Sequence, residues 1–202
     1  MRYDASMEDS VTNERSSVPP MVLGFDAQGD EAVLRWSNRV LRVTGMAGAG
    51  KTVLISDIVS KLDLDAVDLL VFHENEAESF YFPAPHLEDD ISRFHETLLR
   101  LVEPRLAGDT PRPLVLVIIG IGGMREAKLD VLRVARHAHE LNAYVITEDT
   151  FHREKWHYDD DFTDLRPTKL IVNQPEAALI YGAGDETRLF RLSVRVRGAV
   201  RI

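Results

Sequence analysis

Gly45, Gly50, Lys51 and Thr52 fall in the spacing G-x-x-x-x-G-K-[ST], within the stretch "RVTGMAGAGKT" that runs from Arg42 to Thr52. Each residue type has a task at that spacing. Glycine adopts backbone angles that other residues resist. Gly45 and Gly50, with Gly48 between them, therefore let the loop's N–H groups, that of Ala49 included, turn inward. Inward N–H groups hold phosphate oxygens, and a helix opening near Lys51 adds its positive end. Lys51 is placed to reach the β- and γ-phosphates, and the Thr52 hydroxyl to ligate Mg2+. The chemistry is that of a nucleoside triphosphate site.

Cleaving the triphosphate needs more than this loop. A carboxylate at the end of a neighbouring strand holds Mg2+ through water, and a second acid polarises the attacking water. The strand expected to carry them is "LVLVIIGIGG", yet Gly120 and Ile121 stand where acids are required. The first acid afterwards, Glu126, comes six positions after Gly120. Other suppliers are Glu148 and Asp149 after "AYVIT", and Glu74 and Glu76 after "LLVF". Glu148 is the best placed and is the candidate catalytic residue. The competing reading makes it a solvated acid at a strand end.

These residues require a scaffold, and the hydrophobic pattern outlines one. "MVLGFDAQGDEAVLRWS" reads as a hairpin, and "RVLRVTG" as a short strand running into the loop. "KTVLISDIVSKL" has helical spacing. "AVDLLVFHENE" is a buried strand. "LEDDISRFHETLLRLVEPRL" sets Ile91, Phe94, Leu98, Leu101 and Val102 on one helix face, with acids in its first turn. "LVLVIIGIGG" suits a central parallel strand covered on both faces. "EAKLDVLRVARHAHEL" is a further helix, "AYVIT" a further buried strand, and the acidic "EDTFHREKWHYDDDFTDLRP" a surface loop. "TKLIVNQ" and "TRLFRLSVRVRG" are the closing strands, the second part of a terminal β-hairpin region. Alternating strands and helices predict an α/β fold: a mostly parallel central sheet with helices on both faces.

With 202 residues the chain suits one domain, over residues 19–202, behind a polar tail at 1–18 that is expected to be disordered. The tail lacks the apolar core of a secretory signal, and the longest apolar run, Leu114 to Ile121, is too short to span a bilayer. The absence of cysteine excludes disulfides and thiolate chemistry and fits a cytoplasmic setting. A net charge of −9 gives the chain as a whole no attraction for nucleic acid. Residues 183–202 differ: five arginines (188, 191, 195, 197 and 201) outnumber Asp185 and Glu186. The alternation of "RLFRLSVRVRG" reads as the solvent face of the hairpin.

Other clusters have less support. His137 and His139 are two apart on the expected helix, where side chains do not face each other, so they do not form a metal pair. "HREKWHYDDD" gathers His152, His157 and three aspartates without a ligand spacing. Trp36 and Trp156 lack the basic neighbours of a stacking groove.

Several segments, in order, resemble the FtsK/SpoIIIE family in the HerA–FtsK branch of P-loop ATPases. "PPMVLGFDAQGDEAVLRWSNRVLRVTGMAGAGKTVLI" is similar to the family's opening hairpin, strand and phosphate loop. "LLVFHENEAESFYFPAPHL" resembles a strand and loop ending in Pro-His-Leu, here Pro85, His86 and Leu87. "LLRLVEPRL" resembles a helix ending with a Glu and an Arg, Glu103 and Arg105. "VLRVARHAHELNAYVITED" resembles the helix and sensor strand, with Thr147 in the Thr place and Glu148 in the Gln place. "YGAGDETRLFRLSVRVRGAVRI" resembles the end of the motor domain, with Gly184 and Asp185 in its turn. The resemblance implies a RecA-like P-loop NTPase core, ATP and Mg2+ as cofactors, and assembly into a homo-oligomeric ring or with a partner ATPase. It also implies double-stranded DNA as partner, in translocation or in plasmid and conjugative transfer. The chain departs from the family at Gly120 and Ile121, at Glu148, and at Arg133 and Arg136, the unaligned candidates for the trans-acting arginine. These departures imply the alternative: a hydrolysis-poor nucleotide-binding module, a regulatory or structural subunit of a secretion or transfer machine.

Overall fold

The structure, a computed structural model, describes residues 17–36, 38–73, 82, 86–88, 90–109, 112–120, 125–150, 164–173, 175–181 and 186–193. The expected tail therefore lies outside the described residues, apart from Ser17 and Val18. So do the histidine–aspartate cluster around His152 and His157, and also Trp156, Pro85, Gly184, Asp185, Arg195, Arg197 and Arg201.

Ten strands among the described residues form one mixed sheet, in the order β2-β1-β10-β9-β8-β3-β7-β6-β4-β5. Six are parallel to one another: β8 (Thr168–Asn173), β3 (Val40–Gly45), β7 (Ala143–Thr150), β6 (Leu114–Ile119), β4 (Asp68–His73) and β5 (His86–Glu88). The remaining four, β9 (Glu176–Tyr181), β10 (Glu186–Leu192), β1 (Met21–Phe25) and β2 (Glu31–Leu34), extend the sheet with antiparallel pairings. A mostly parallel sheet thus describes one half. In the other, the opening hairpin pairs with the last strand, through Gly24↔Leu192 and Phe25↔Arg191.

Side chains alternate between the faces of a strand, and the core divides accordingly. Leu41 and Val43 of β3, Leu69 and Val71 of β4, and Val115 and Val117 of β6 join one cluster. Val40, Leu70, Phe72, Leu116 and Ile118, from the same strands, join the other. The first cluster is covered by α1 (Lys51–Ser60) through Leu54, Ile55, Ile58 and Val59. The second is covered by α2 (Ile91–Leu106) through Phe94 and Leu98 and by α3 (Arg125–Arg136) through Val131, Leu132, Val134 and Ala135. Helices therefore lie on both faces, which is why the parallel strands read as continuous apolar runs rather than alternating ones. Phe72 and Phe94 meet edge-to-face with centroids 5.3 Å apart.

α2 is stopped at its start by Asp90, whose carboxylate accepts from the Ser92 and Arg93 amides at 2.8 and 3.1 Å. Of the expected acids, Asp90 precedes the helix as its cap and Glu88 lies in β5. At its other end Arg105, 6% exposed, donates to Asp68, to the Arg112 carbonyl at 3.1 Å and to the Leu101 carbonyl. Arg105 meets Asp68 at the start of β4 and so pins helix to sheet away from the phosphate loop. α3 ends at Arg136, one residue before His137, so His137 and His139 follow the helix rather than ride on it. His137 Nδ1 lies 2.8 Å from Glu140 Oε2. No helix among the described residues is long and apolar enough to cross a membrane.

Candidate functional site

Six parallel strands carry their C-terminal ends to one edge of the sheet, and the glycine-rich segment leaves β3 at that edge. In an open parallel sheet ligands bind beyond the carboxyl ends of the strands. Gly45 closes β3 against β8: a Cβ there would stand 2.5 Å from the Val172 carbonyl oxygen and 3.4 Å from Ala49 Cβ. Gly48 and Gly50 have φ of +76° and +82°, the left-handed region that side chains resist. Between them the chain turns back, with the Ala49 amide donating to the Met46 carbonyl at 3.1 Å.

Helix α1 then opens at Lys51, and neither an acidic residue in its first turn nor a side-chain cap claims its first N–H groups. Uncapped amides and the helix dipole together favour an anion. The loop tip, residues 46–48, is exposed, so the approach to these amides is open.

Lys51 and Thr52 are the first two residues of α1. The Lys51 side chain is 4% exposed and folds back over the loop, Nζ donating to the Met46 carbonyl at 3.0 Å. Its second partner is Glu148, with Nζ 3.5 Å from Oε1. The other oxygen of Glu148 accepts from the Thr52 hydroxyl at 3.1 Å. One carboxylate, 10% exposed, thus touches the two side chains that the motif assigns to phosphate and to Mg2+.

The location of Glu148 follows from strand order and parity. The strand beside β3 is β7, not β6, which lies one strand further away. β7 also runs past "AYVIT": Glu148 pairs with Val43 and Asp149 with Thr44, so both acids are strand residues and not the start of a loop. Tyr144 and Ile146 face the α1 side of the sheet, and Glu148, two residues on, shares that face.

The strand from which acids were expected contributes none among the described residues. β6 ends at Ile119, and Gly120 follows with φ +83°, a conformation that resists a side chain. Ile121, Glu74 and Glu76 lie outside the described residues; Glu126 is in α3. Arg133 and Arg136 are exposed, Arg133 pairing with Asp130 at 3.2 Å. Trp36 is used internally: its indole donates to the Pro19 carbonyl at 3.1 Å and it meets Tyr144 edge-on. Among the described residues no three His, Cys, Asp or Glu side chains gather as a metal cage. Mg2+ takes one or two carboxylates and completes its shell with water and phosphate oxygens. The residues that fit it are Thr52 and Glu148.

No family model matches the chain, and no curated protein matches it in sequence. Solved structures do match its fold. A protein described as an ATPase superposes with a TM-score of 0.69 at 11% identity, over 86% of each chain. ATPases 2 and 3 of EssC from Geobacillus thermodenitrificans give 0.65 at 10% identity, over 93% of this chain and 46% of theirs. The pCW3 conjugation coupling protein TcpA, solved with ATPγS, gives 0.60 at 11% identity, over 86% of this chain and 65% of its own. The chain therefore shares the fold of these ATPases while spanning about half of the EssC segment and about two thirds of TcpA.

Proposed function

We propose that this chain is an ATP-binding, RecA-like domain of FtsK/SpoIIIE type, holding ATP with Mg2+ through Gly45, Gly48, Ala49, Gly50, Lys51 and Thr52. The observation that carries the proposal is the junction of β3, α1 and β7, where Lys51, Thr52 and Glu148 are in mutual contact beneath uncapped helix amides. The loop amides and Lys51 would hold phosphate charge, and Thr52 with Glu148 would hold the metal. Bound Mg2+ would neutralise phosphate charge and orient the terminal phosphoryl group. The likeness to the TcpA conjugation coupling protein supports work in a transfer machine, and the sequence resemblance to the FtsK/SpoIIIE family implies a ring of like subunits or a partner ATPase.

A second reading concerns turnover. Gly120, in the left-handed region, occupies the strand end from which a water-activating acid was expected. This supports a domain that binds nucleotide tightly and hydrolyses it slowly, as a regulatory or structural subunit. One experiment tests both readings: ATP affinity and hydrolysis of the wild type and Lys51→Ala, with and without duplex DNA. The binding reading expects loss of affinity by at least tenfold in Lys51→Ala, and a wild type that binds no nucleotide refutes it. Turnover stimulated by DNA and abolished in Lys51→Ala would identify a motor. Tight binding without turnover under every condition would identify the module.

A further inference from the structure

We propose that Glu148 makes nucleotide binding conditional on the metal, disfavouring bare triphosphate and favouring the Mg2+-bound form. The inference rests on the reading that residues 45–52 bind a nucleoside triphosphate, and it adds a selectivity that this reading does not contain.

Three observations carry it. Glu148 touches Lys51 Nζ at 3.5 Å and the Thr52 hydroxyl at 3.1 Å, so whatever engages those two side chains comes within a few ångströms of a carboxylate. The Glu148 and Lys51 side chains are 10% and 4% exposed, so solvent and salt screen the site weakly. The β6 end next to β7 offers Gly120 instead of a further acid, leaving Glu148 as the carboxylate at the Thr52 hydroxyl among the described residues.

The electrostatic consequence is direct. In the free protein Lys51 offsets the charge of Glu148. A triphosphate that recruits Lys51 takes that offset away and sets phosphate charge against the carboxylate. Like charges at such separations alter an equilibrium by one to three powers of ten. A divalent cation arriving with the triphosphate would reverse the sign, because Glu148 would then meet positive charge as well as phosphate. Its chemistry also suits the site: Mg2+ prefers oxygen donors and tolerates a site with one protein carboxylate.

The test compares two dissociation constants within each variant, by calorimetric titration of ATP into the full chain in Mg2+ and in EDTA. The wild type is expected to prefer the Mg2+ form by at least about tenfold beyond the preference of Glu148→Gln. Glu148→Gln keeps the shape and an oxygen for the Thr52 hydroxyl but removes the charge. It should bind ATP more tightly in EDTA and less tightly in Mg2+. Glu148→Asp keeps the charge and should retain the wild-type ratio to within about threefold. A ratio within one variant does not depend on the fraction of protein that is folded. An unchanged ratio in Glu148→Gln overturns the inference while leaving the nucleotide site standing. A wild type that binds ATP in neither buffer overturns the nucleotide site and the inference together.

Discussion

Lys51 and Glu148 are a nearly buried ion pair whose partners serve each other while no ligand is held. Removing one member of such a pair strands the other charge, which costs more than removing both. Lys51→Met is therefore expected to lower the stability of the nucleotide-free protein by about 1–3 kcal/mol. Adding Glu148→Gln to Lys51→Met should restore part of that loss, although each change alone weakens the proposed site. Urea unfolding of the four proteins measures the coupling, and strictly additive losses would refute it. At this scale the sequence was informative. The residue types and spacing at 45–52 singled out the loop, and Glu148 was singled out among the acids. What the sequence left open was the partner of Glu148, because a contact across 96 residues depends on which strand lies beside which.

That choice belongs to the elements. The tight turn from β3 into α1 depends on two different properties of glycine, and substitutions separate them. At Gly45 a Cβ meets the Val172 backbone carbonyl at 2.5 Å, and a strand partner cannot yield as a flexible side chain does. At Gly48 nothing lies within 4 Å of the added carbon, and only its φ of +76° resists. Gly48→Ala should cost about 1–2 kcal/mol. Gly45→Ala should cost more, by up to about 3 kcal/mol, and should weaken the β3–β8 pairing. Hydrogen exchange at the Val172 and Asn173 amides reads the difference. Equal protection in the two variants would refute the distinction. Long elements with clear periods were legible: β1, β2, β3, β4, β6, α1 and α2 lie where their apolar spacing places them, while α3 stops at Arg136, short of the "HAHEL" expected to continue it. β9, "EAALIY", was missed because Glu and Ala favour helix over strand, and its pairing between β8 and β10 overrides that local preference. β5 was missed because three residues carry too little pattern. β7 was ended too early because acidic residues are rare in strands; pairing of Glu148 and Asp149 with β3 carries it on. No local signal could insert β7 between β3 and β6, since that adjacency is set by how the whole sheet is packed.

The whole sheet is joined into one piece at its antiparallel half, where the beginning and the end of the described chain meet. β1 lies between β2 and β10, and a Cβ at Gly24 would collide with the Arg191 carbonyl, so the strands approach closely only because no side chain intervenes. Asp26, in the turn after β1, accepts from the Gln28 and Asp30 amides at 3.0 and 2.9 Å, and from Arg188 of β10 at 2.7 Å. The Arg188 hydrogen bond, and after it these amides, hold the Asp26 carboxyl below its ordinary value despite the opposing effect of burial. Arg188 is raised in turn, chiefly by Asp26. The sign of the pH effect follows. A carboxyl with a lowered folded-state pKa stabilises the fold above its unfolded value, about 3.9, and that stabilisation disappears as pH falls through the lower folded value. Asp26→Asn keeps an oxygen for the amides but removes the charge that Arg188 meets. Its melting temperature should fall below that of the wild type at pH 7. The gap should close as both proteins are acidified below about pH 4, because the wild-type carboxyl then loses its charge as well. Thermal melts from pH 7 to pH 2 decide the matter: a gap of constant size would mean that the Asp26–Arg188 pair does not join the two ends through charge, and that strand pairing alone holds the opening hairpin to the last strand.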